Sequence, residues 1–150
     1  MEDKPAVTKS SHRSVISASG DHRGSAAKSS RTHIQIDPRN PFSDGVLVGN
    51  TLYLSGRIGL DESRRVPADI DTEARNVMDS VRTVLQKAGM EMDDLVYVQV
   101  FCTDVALWER FNAIYGSYFK DKMPARAFIG SGKLLFGARF EVQGIAVKRS

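Results

Sequence analysis

The 150-residue chain is long enough for one domain, and its composition, 41% hydrophobic and 26% charged, is typical of a globular protein. Cys102 is the only cysteine, which excludes an intramolecular disulfide and favours a reducing compartment such as the cytoplasm. No apolar run approaches the roughly 20 residues that cross a bilayer, and the N-terminus lacks the apolar segment of a secretory signal, so we expect no membrane partner.

The net charge of +3 comes from residues 1–31, which hold six of the 21 basic residues and three of the 18 acidic ones. Residues 32–150 therefore carry 15 residues of each sign. A fold that binds nucleic acid normally concentrates basic charge on its body, so we do not expect nucleic acid as a partner.

Residues 1–31 contain almost no large apolar side chains and cannot bury enough surface to offset the entropy of ordering. We predict a disordered tail over 1–31 and a domain over 32–150. The histidines His12, His22 and His33 do not cluster with Cys102 or with carboxylates at ligand spacing, so we expect no metal site.

Runs rich in β-branched and aromatic residues predict six strands. They are residues 33–36, 45–48, 51–56, 95–101, 126–130 and 139–147. Gly49 and Asn50 tolerate positive φ, which predicts a tight hairpin between the second and third strands. The polar residues 57–68 include Pro67 and predict a loop.

Two segments repeat apolar residues at helical spacing. The expected buried faces are Ala74, Val77, Met78, Val81, Val84, Leu85 and Ala88 in the first helix, and Leu107, Trp108, Phe111, Ile114, Tyr115, Tyr118 and Phe119 in the second. Asp69 or Asp71 can cap the first helix, and Thr103 or Asp104 the second. Gly89 is a fitting stop for the first helix.

The order β-β-β-α-β-α-β-β predicts an α+β two-layer domain, with a mixed β-sheet and two helices on one face. The other face then has no helix. An apolar face of this kind must be buried against something, and we expect a partner subunit.

Arg126 and Glu141 are the residues most suited to chemistry. A guanidinium can grip a small carboxylate with two parallel hydrogen bonds, and a glutamate can move a proton to or from water. The alternative is that Arg126 and Glu141 form an ion pair with each other across two strands and contribute little to stability.

The chain from about Asn40 to Lys148 resembles the RidA (YjgF/YER057c/UK114) family of enamine/imine deaminases. The matching motifs are Pro41-Phe42-Ser43 followed by Gly45-Val46, residues 49–59, Asn112-Ala113-Ile114-Tyr115 with Tyr118-Phe119, and Pro124-Ala125-Arg126. The interval from Arg126 to Glu141 also fits the family's spacing between its arginine and its glutamate.

The resemblance implies a trimeric chorismate-mutase-like (RidA-like) fold with clefts between neighbouring subunits. It implies hydrolysis of reactive 2-imino acids, or their enamine tautomers, to 2-oxo acids and ammonia, without a cofactor. Pyridoxal-phosphate dehydratases release these intermediates, which can damage other enzymes.

The resemblance also assigns roles. Arg126 binds the substrate carboxylate, Glu141 orients or deprotonates the attacking water, and a backbone amide near Phe128 assists. The other expected substrate-binding residues are Ser55 and Gly56 on the cleft floor, Asn112 on the second helix and Phe42 as an aromatic lid. On the residues alone, Asn112 could be an exposed helix residue, Phe42 ordinary core, and Ser55-Gly56 a strand end.

Three residues depart from the family pattern. Phe42 replaces a common tyrosine, Phe128 is bulkier than the usual small residue or cysteine, and Gln143 replaces a frequent second acid. These changes predict a more apolar or differently shaped pocket. Trp108 and Tyr115 are expected to be packing residues.

Other functions stay open: a related hydrolase with another substrate, a non-enzymatic ligand-binding or chaperone-like trimer, and an endoribonuclease. Retention of Arg126 and Glu141 argues against the non-enzymatic trimer. The neutral body and the lack of a histidine acid–base pair argue against RNA cleavage.

Overall fold

Six strands and two helices form the domain in the computed structural model, which describes residues 30–150. The strands are β1 (Arg31–Ile34), β2 (Gly45–Val48), β3 (Thr51–Ile58), β4 (Leu95–Cys102), β5 (Ala125–Gly130) and β6 (Phe140–Val147), and the helices are α1 (Ile70–Lys87) and α2 (Trp108–Gly116). The sheet order is β1-β2-β3-β6-β4-β5, with β4 and β5 parallel and every other pair antiparallel. The predicted α+β class and mixed sheet are confirmed. No helix in this part of the chain is long and apolar enough to span a bilayer.

The hairpin between β2 and β3 turns at Gly49, whose φ is 61°, and pairs Val48 with Thr51. β3 continues beyond its predicted end as far as Ile58, which pairs with Glu141 after an irregularity in the register. The loop prediction was therefore wrong for residues 57 and 58. Both residues pair with β6, a strand distant in sequence that local pattern does not identify as their partner.

β1 lies two residues earlier than predicted. The amide of Ile36 donates to the carboxylate of the buried Asp44 at 2.6 Å instead of continuing the ladder, so the strand ends at Ile34.

Residues 1–29 of the predicted tail lie outside the described residues. Arg31, the last residue of that tail, belongs to β1 and pairs with Val48.

α1 buries the whole predicted apolar face, and Asp69 caps it by accepting from the amide of Thr72. Gly89 follows the helix with a φ of 68°, a conformation that favours glycine. α2 follows a 3₁₀ turn begun by Asp104 and ends at Gly116, earlier than the predicted face implied. Cys102 is buried, as expected.

Both helices pack on one face of the sheet. Phe111 of α2 lies 4.8 Å from Phe140 of β6, measured between ring centres. The opposite face carries Tyr53, which is 52% exposed, and a hydrogen bond between the side chains of Gln143 and Gln99. Within a single chain, that second face is uncovered.

A buried carboxylate joins α1 to the start of β6. Glu73 is fully buried and accepts hydrogen bonds from the amides of Arg139, at 2.6 Å, and Phe140, at 3.3 Å. The Arg139 guanidinium pairs with the same carboxylate and donates to the carbonyls of Pro67 and Ala68. Removing one partner of such a buried pair leaves an uncompensated charge.

We therefore expect Glu73→Ala to lower the free energy of unfolding by about 3–5 kcal/mol, measured by urea denaturation. Arg39→Ala is the control, because it removes an exposed ion pair with Asp37 and should change stability little. Equal stability of Glu73→Ala and the wild type would contradict the proposed importance of this pair.

Candidate active site

Arg126 lies in a groove between β5 and α2. Its Nη2 donates to Oδ1 of Asn112 at 2.8 Å, and its guanidinium carbon lies 4.9 Å from the ring centre of Trp108 and 4.5 Å from that of Tyr115. The ring centre of Phe128 lies 5.6 Å from the same carbon, so an amide and three aromatic rings surround the cation. Asn112 is thus a half-buried partner of Arg126, and the alternative that it is an exposed helix residue was wrong.

The Arg126 groove, as we call it, has a volume of about 510 Å³ and is lined by Trp108, Asn112, Tyr115, Gly116, Met123, Pro124, Arg126 and Phe128. Most of this lining is apolar, and one permanent cation lies within it. Such a groove suits a small molecule that has an anionic group and an apolar part.

Three aromatic side chains shape the groove. Phe128 meets Trp108 edge-on at 5.1 Å and also contacts Phe111. The expectation that Trp108 and Tyr115 serve packing alone was incomplete, because both also contact the guanidinium of Arg126. Trp108, Asn112 and Tyr115 follow each other at intervals of four and three residues, which places them on one stripe of α2. That spacing was the sequence signal for their shared role.

Tyr115 is deeply buried, and burial raises the pKa of its hydroxyl to about 12, although the nearby Arg126 cation works in the opposite direction. The hydroxyl therefore stays protonated at physiological pH.

Glu141 belongs to a second group of residues, which we call the Glu141 cluster: Ser55, Gly56 and Glu141. A Cβ atom added to Gly56 would lie only 2.0 Å from Oε1 of Glu141. A larger residue at position 56 would therefore displace the Glu141 carboxylate from its present place beside β3, and the structure brings these two predicted residues together.

Ser55 joins this cluster to the loop before β2. Its hydroxyl donates to the carbonyl of Ser43 at 2.6 Å, and its amide donates to the carbonyl of Asp44. Asp44 is itself fixed by an ion pair with Arg57. Phe42 precedes Ser43 on this loop and is 47% exposed, so it is not a core residue. No local sequence pattern indicates that Asp44 is buried.

Arg126 and Glu141 lie on opposite faces of the sheet. Arg126 is paired with Val98 of β4, and Glu141 is paired with Phe101 of the same strand. Val98 and Phe101 are three residues apart, and successive strand residues alternate between faces. The alternative in which Arg126 and Glu141 pair with each other was therefore wrong, and neither forms an ion pair with another residue of 30–150.

The chain is similar to known proteins along most of its length. The family model "Endoribonuclease L-PSP" matches residues 32–148. A "RutC family protein" of Sulfurisphaera tokodaii is 36% identical over 113 residues, 74% of this chain and 90% of the relative. The human "2-iminobutanoate/2-iminopropanoate deaminase" is 34% identical over 110 residues, 72% of this chain and 80% of the relative.

A solved structure agrees with the fold. The crystal structure of E. coli TdcF with bound serine matches with a TM-score of 0.70 at 26% identity, covering 73% of this chain and 90% of TdcF. From the family match and these relatives, we conclude that the chain belongs to the Endoribonuclease L-PSP family, which is the RidA/YjgF family.

Proposed function

We propose that this protein hydrolyses small 2-imino acids, or their enamine tautomers, to 2-oxo acids and ammonia. The reaction takes place in a homotrimer, in clefts where the Arg126 groove of one protomer faces the Glu141 cluster of its neighbour. One observation carries this proposal: the cation and the carboxylate lie on opposite faces of one sheet, so they can share a site only between protomers. The uncovered second face of the sheet supplies surface for that association.

Arg126 binds the carboxylate of the substrate by charge-assisted hydrogen bonds, and the backbone amide near Phe128 assists. Asn112 fixes the orientation of the guanidinium through the bond at 2.8 Å. Because the cation is held before the substrate arrives, little ordering remains to be done on binding. This half of the cleft positions the imine carbon.

Glu141 deprotonates a water as that water attacks the imine carbon, and returns the proton to nitrogen. The carbon–oxygen bond forms, the carbon–nitrogen bond breaks, and the nitrogen leaves as ammonia. The oxygen of the water ends in the 2-oxo acid and its two hydrogens end in ammonia. Gly56 leaves space for the Glu141 carboxylate, and Ser55 forms the adjoining floor.

Phe42 and Phe128 favour substrates with apolar side chains, since neither ring offers a hydrogen bond. The lone buried thiol of Cys102 suits the reducing cytoplasm, where we place the reaction. The human relative is named a deaminase of the three- and four-carbon imino acids, and TdcF holds a small amino acid, serine. Both names support a small substrate with a carboxylate.

Arg126→Ala should reduce kcat/KM for 2-iminopropanoate at least about 100-fold, because the substrate loses its charged anchor. The assay generates the imine with a pyridoxal-phosphate dehydratase and follows its decay. Arg110→Ala is the matched control: Arg110 pairs with Asp71 on the outer surface and should be dispensable. Full activity of Arg126→Ala would refute the role of Arg126, and an inactive wild type would favour the binding-only alternative.

Gly56→Ala should also reduce kcat strongly while the protein stays folded, since the added methyl group would displace the Glu141 carboxylate. Gly132→Ala is the control, because its Cβ would meet nothing within 4 Å. Circular dichroism checks folding, and the imine-decay assay checks activity. Equal rates for the two variants would show that the position of Glu141 does not matter.

A further inference from the structure

Two unpaired polar atoms belong to residues that line the Arg126 groove. Within residues 30–150, the buried side-chain atoms without a hydrogen-bond partner are Oη of Tyr115 and Nη1 of Arg126. They belong to neighbouring side chains, since the guanidinium carbon lies 4.5 Å from the centre of the Tyr115 ring. Buried polar atoms nearly always have a hydrogen-bond partner. Two unpaired atoms on neighbouring side chains therefore indicate a missing partner with acceptor atoms.

The chemistry of these atoms limits what that partner is. Arginine can only donate hydrogen bonds. The hydroxyl of Tyr115 is also a donor at physiological pH, because burial holds its proton. A carboxylate, such as that of the proposed substrate, supplies two acceptor oxygens and a negative charge to neighbouring donors.

The hydrogen bonds of Arg126 show where a second donor is needed. Nη2 already donates to Asn112, which leaves Nη1 as the unpaired end of the fork. A carboxylate that meets Nη1 through one oxygen has its other oxygen free for a second donor in the groove. Tyr115 lies against the guanidinium and carries an unused hydroxyl.

We propose that Tyr115 is a second carboxylate-binding residue, whose hydroxyl donates to the substrate carboxylate that Arg126 holds. This inference rests on the proposed function and adds to it a residue on α2 that combines two contacts. The ring of Tyr115 holds the guanidinium, and its hydroxyl binds the ligand.

The test is Tyr115→Phe, which keeps the ring and removes the hydroxyl. The probe is pyruvate, the product expected from 2-iminopropanoate. Binding is read from the fluorescence of Trp108, the only tryptophan, whose ring lies against Arg126. We expect the Kd for pyruvate and the KM for the imine to rise about five- to twenty-fold, with kcat changed less than about twofold. Thermal stability should stay equal or rise, because the hydroxyl that is removed has no partner in the unliganded chain.

Tyr118→Phe is the matched control. The hydroxyl of Tyr118 lies outside the groove and bonds to Asp79 at 2.7 Å and to the carbonyl of Arg75 at 3.1 Å. Its removal should lower stability and leave pyruvate binding unchanged, the opposite of the effects expected for Tyr115→Phe.

An unchanged Kd in Tyr115→Phe, with wild type binding and Arg126→Ala not binding, would overturn the inference and leave the proposed function intact. An unchanged Kd with weaker association of the protomers would overturn it too, because the hydroxyl would then bond to a neighbouring subunit. Absence of pyruvate binding and of imine hydrolysis in the wild type would overturn both proposals.

Discussion

The alternation of side chains across a β-strand is the constraint on which the functional account depends. β4 lies between β5 and β6 and pairs with both, so its register determines the face on which each neighbouring side chain lies. That register directs Arg126 toward α2 and Glu141 toward the open face. No side-chain rotation can bring the two groups together through the sheet. A reaction that needs both must therefore draw them from two chains.

Each half of the candidate site is held in position by neighbouring residues. On one face, α2 supplies the amide and the rings that fix Arg126. On the other, Gly56 leaves space for the Glu141 carboxylate. The ion pair of Glu73 with Arg139 anchors the start of β6, the strand that carries Glu141. Each protomer thus presents two incomplete but ordered surfaces, and the proposed association would join a positive surface to an acidic one.

The sequence predicted the parts of the fold that local pattern controls. The Gly49-Asn50 turn, the apolar face of α1 and the order of the elements all follow from spacing and from backbone preference. The extension of β3 to Ile58 and the early end of β1 at Ile34 depend on partners distant in sequence, and local pattern contains no such information. For the same reason, the sequence placed Arg126 and Glu141 on strands without showing that a third strand separates them. The contacts of Tyr115 depend on how α2 docks on β5, which periodicity alone does not define.

Subunit complementation tests the central claim most directly. Arg126→Ala and Glu141→Gln are each expected to be inactive, but in a mixed trimer an intact Arg126 can face an intact Glu141 of its neighbour. Random association of equal amounts, after denaturation and joint refolding, should restore about a quarter of the wild-type activity per site. Mixed trimers verified by native mass spectrometry that stay as inactive as either variant alone would contradict a site shared between protomers.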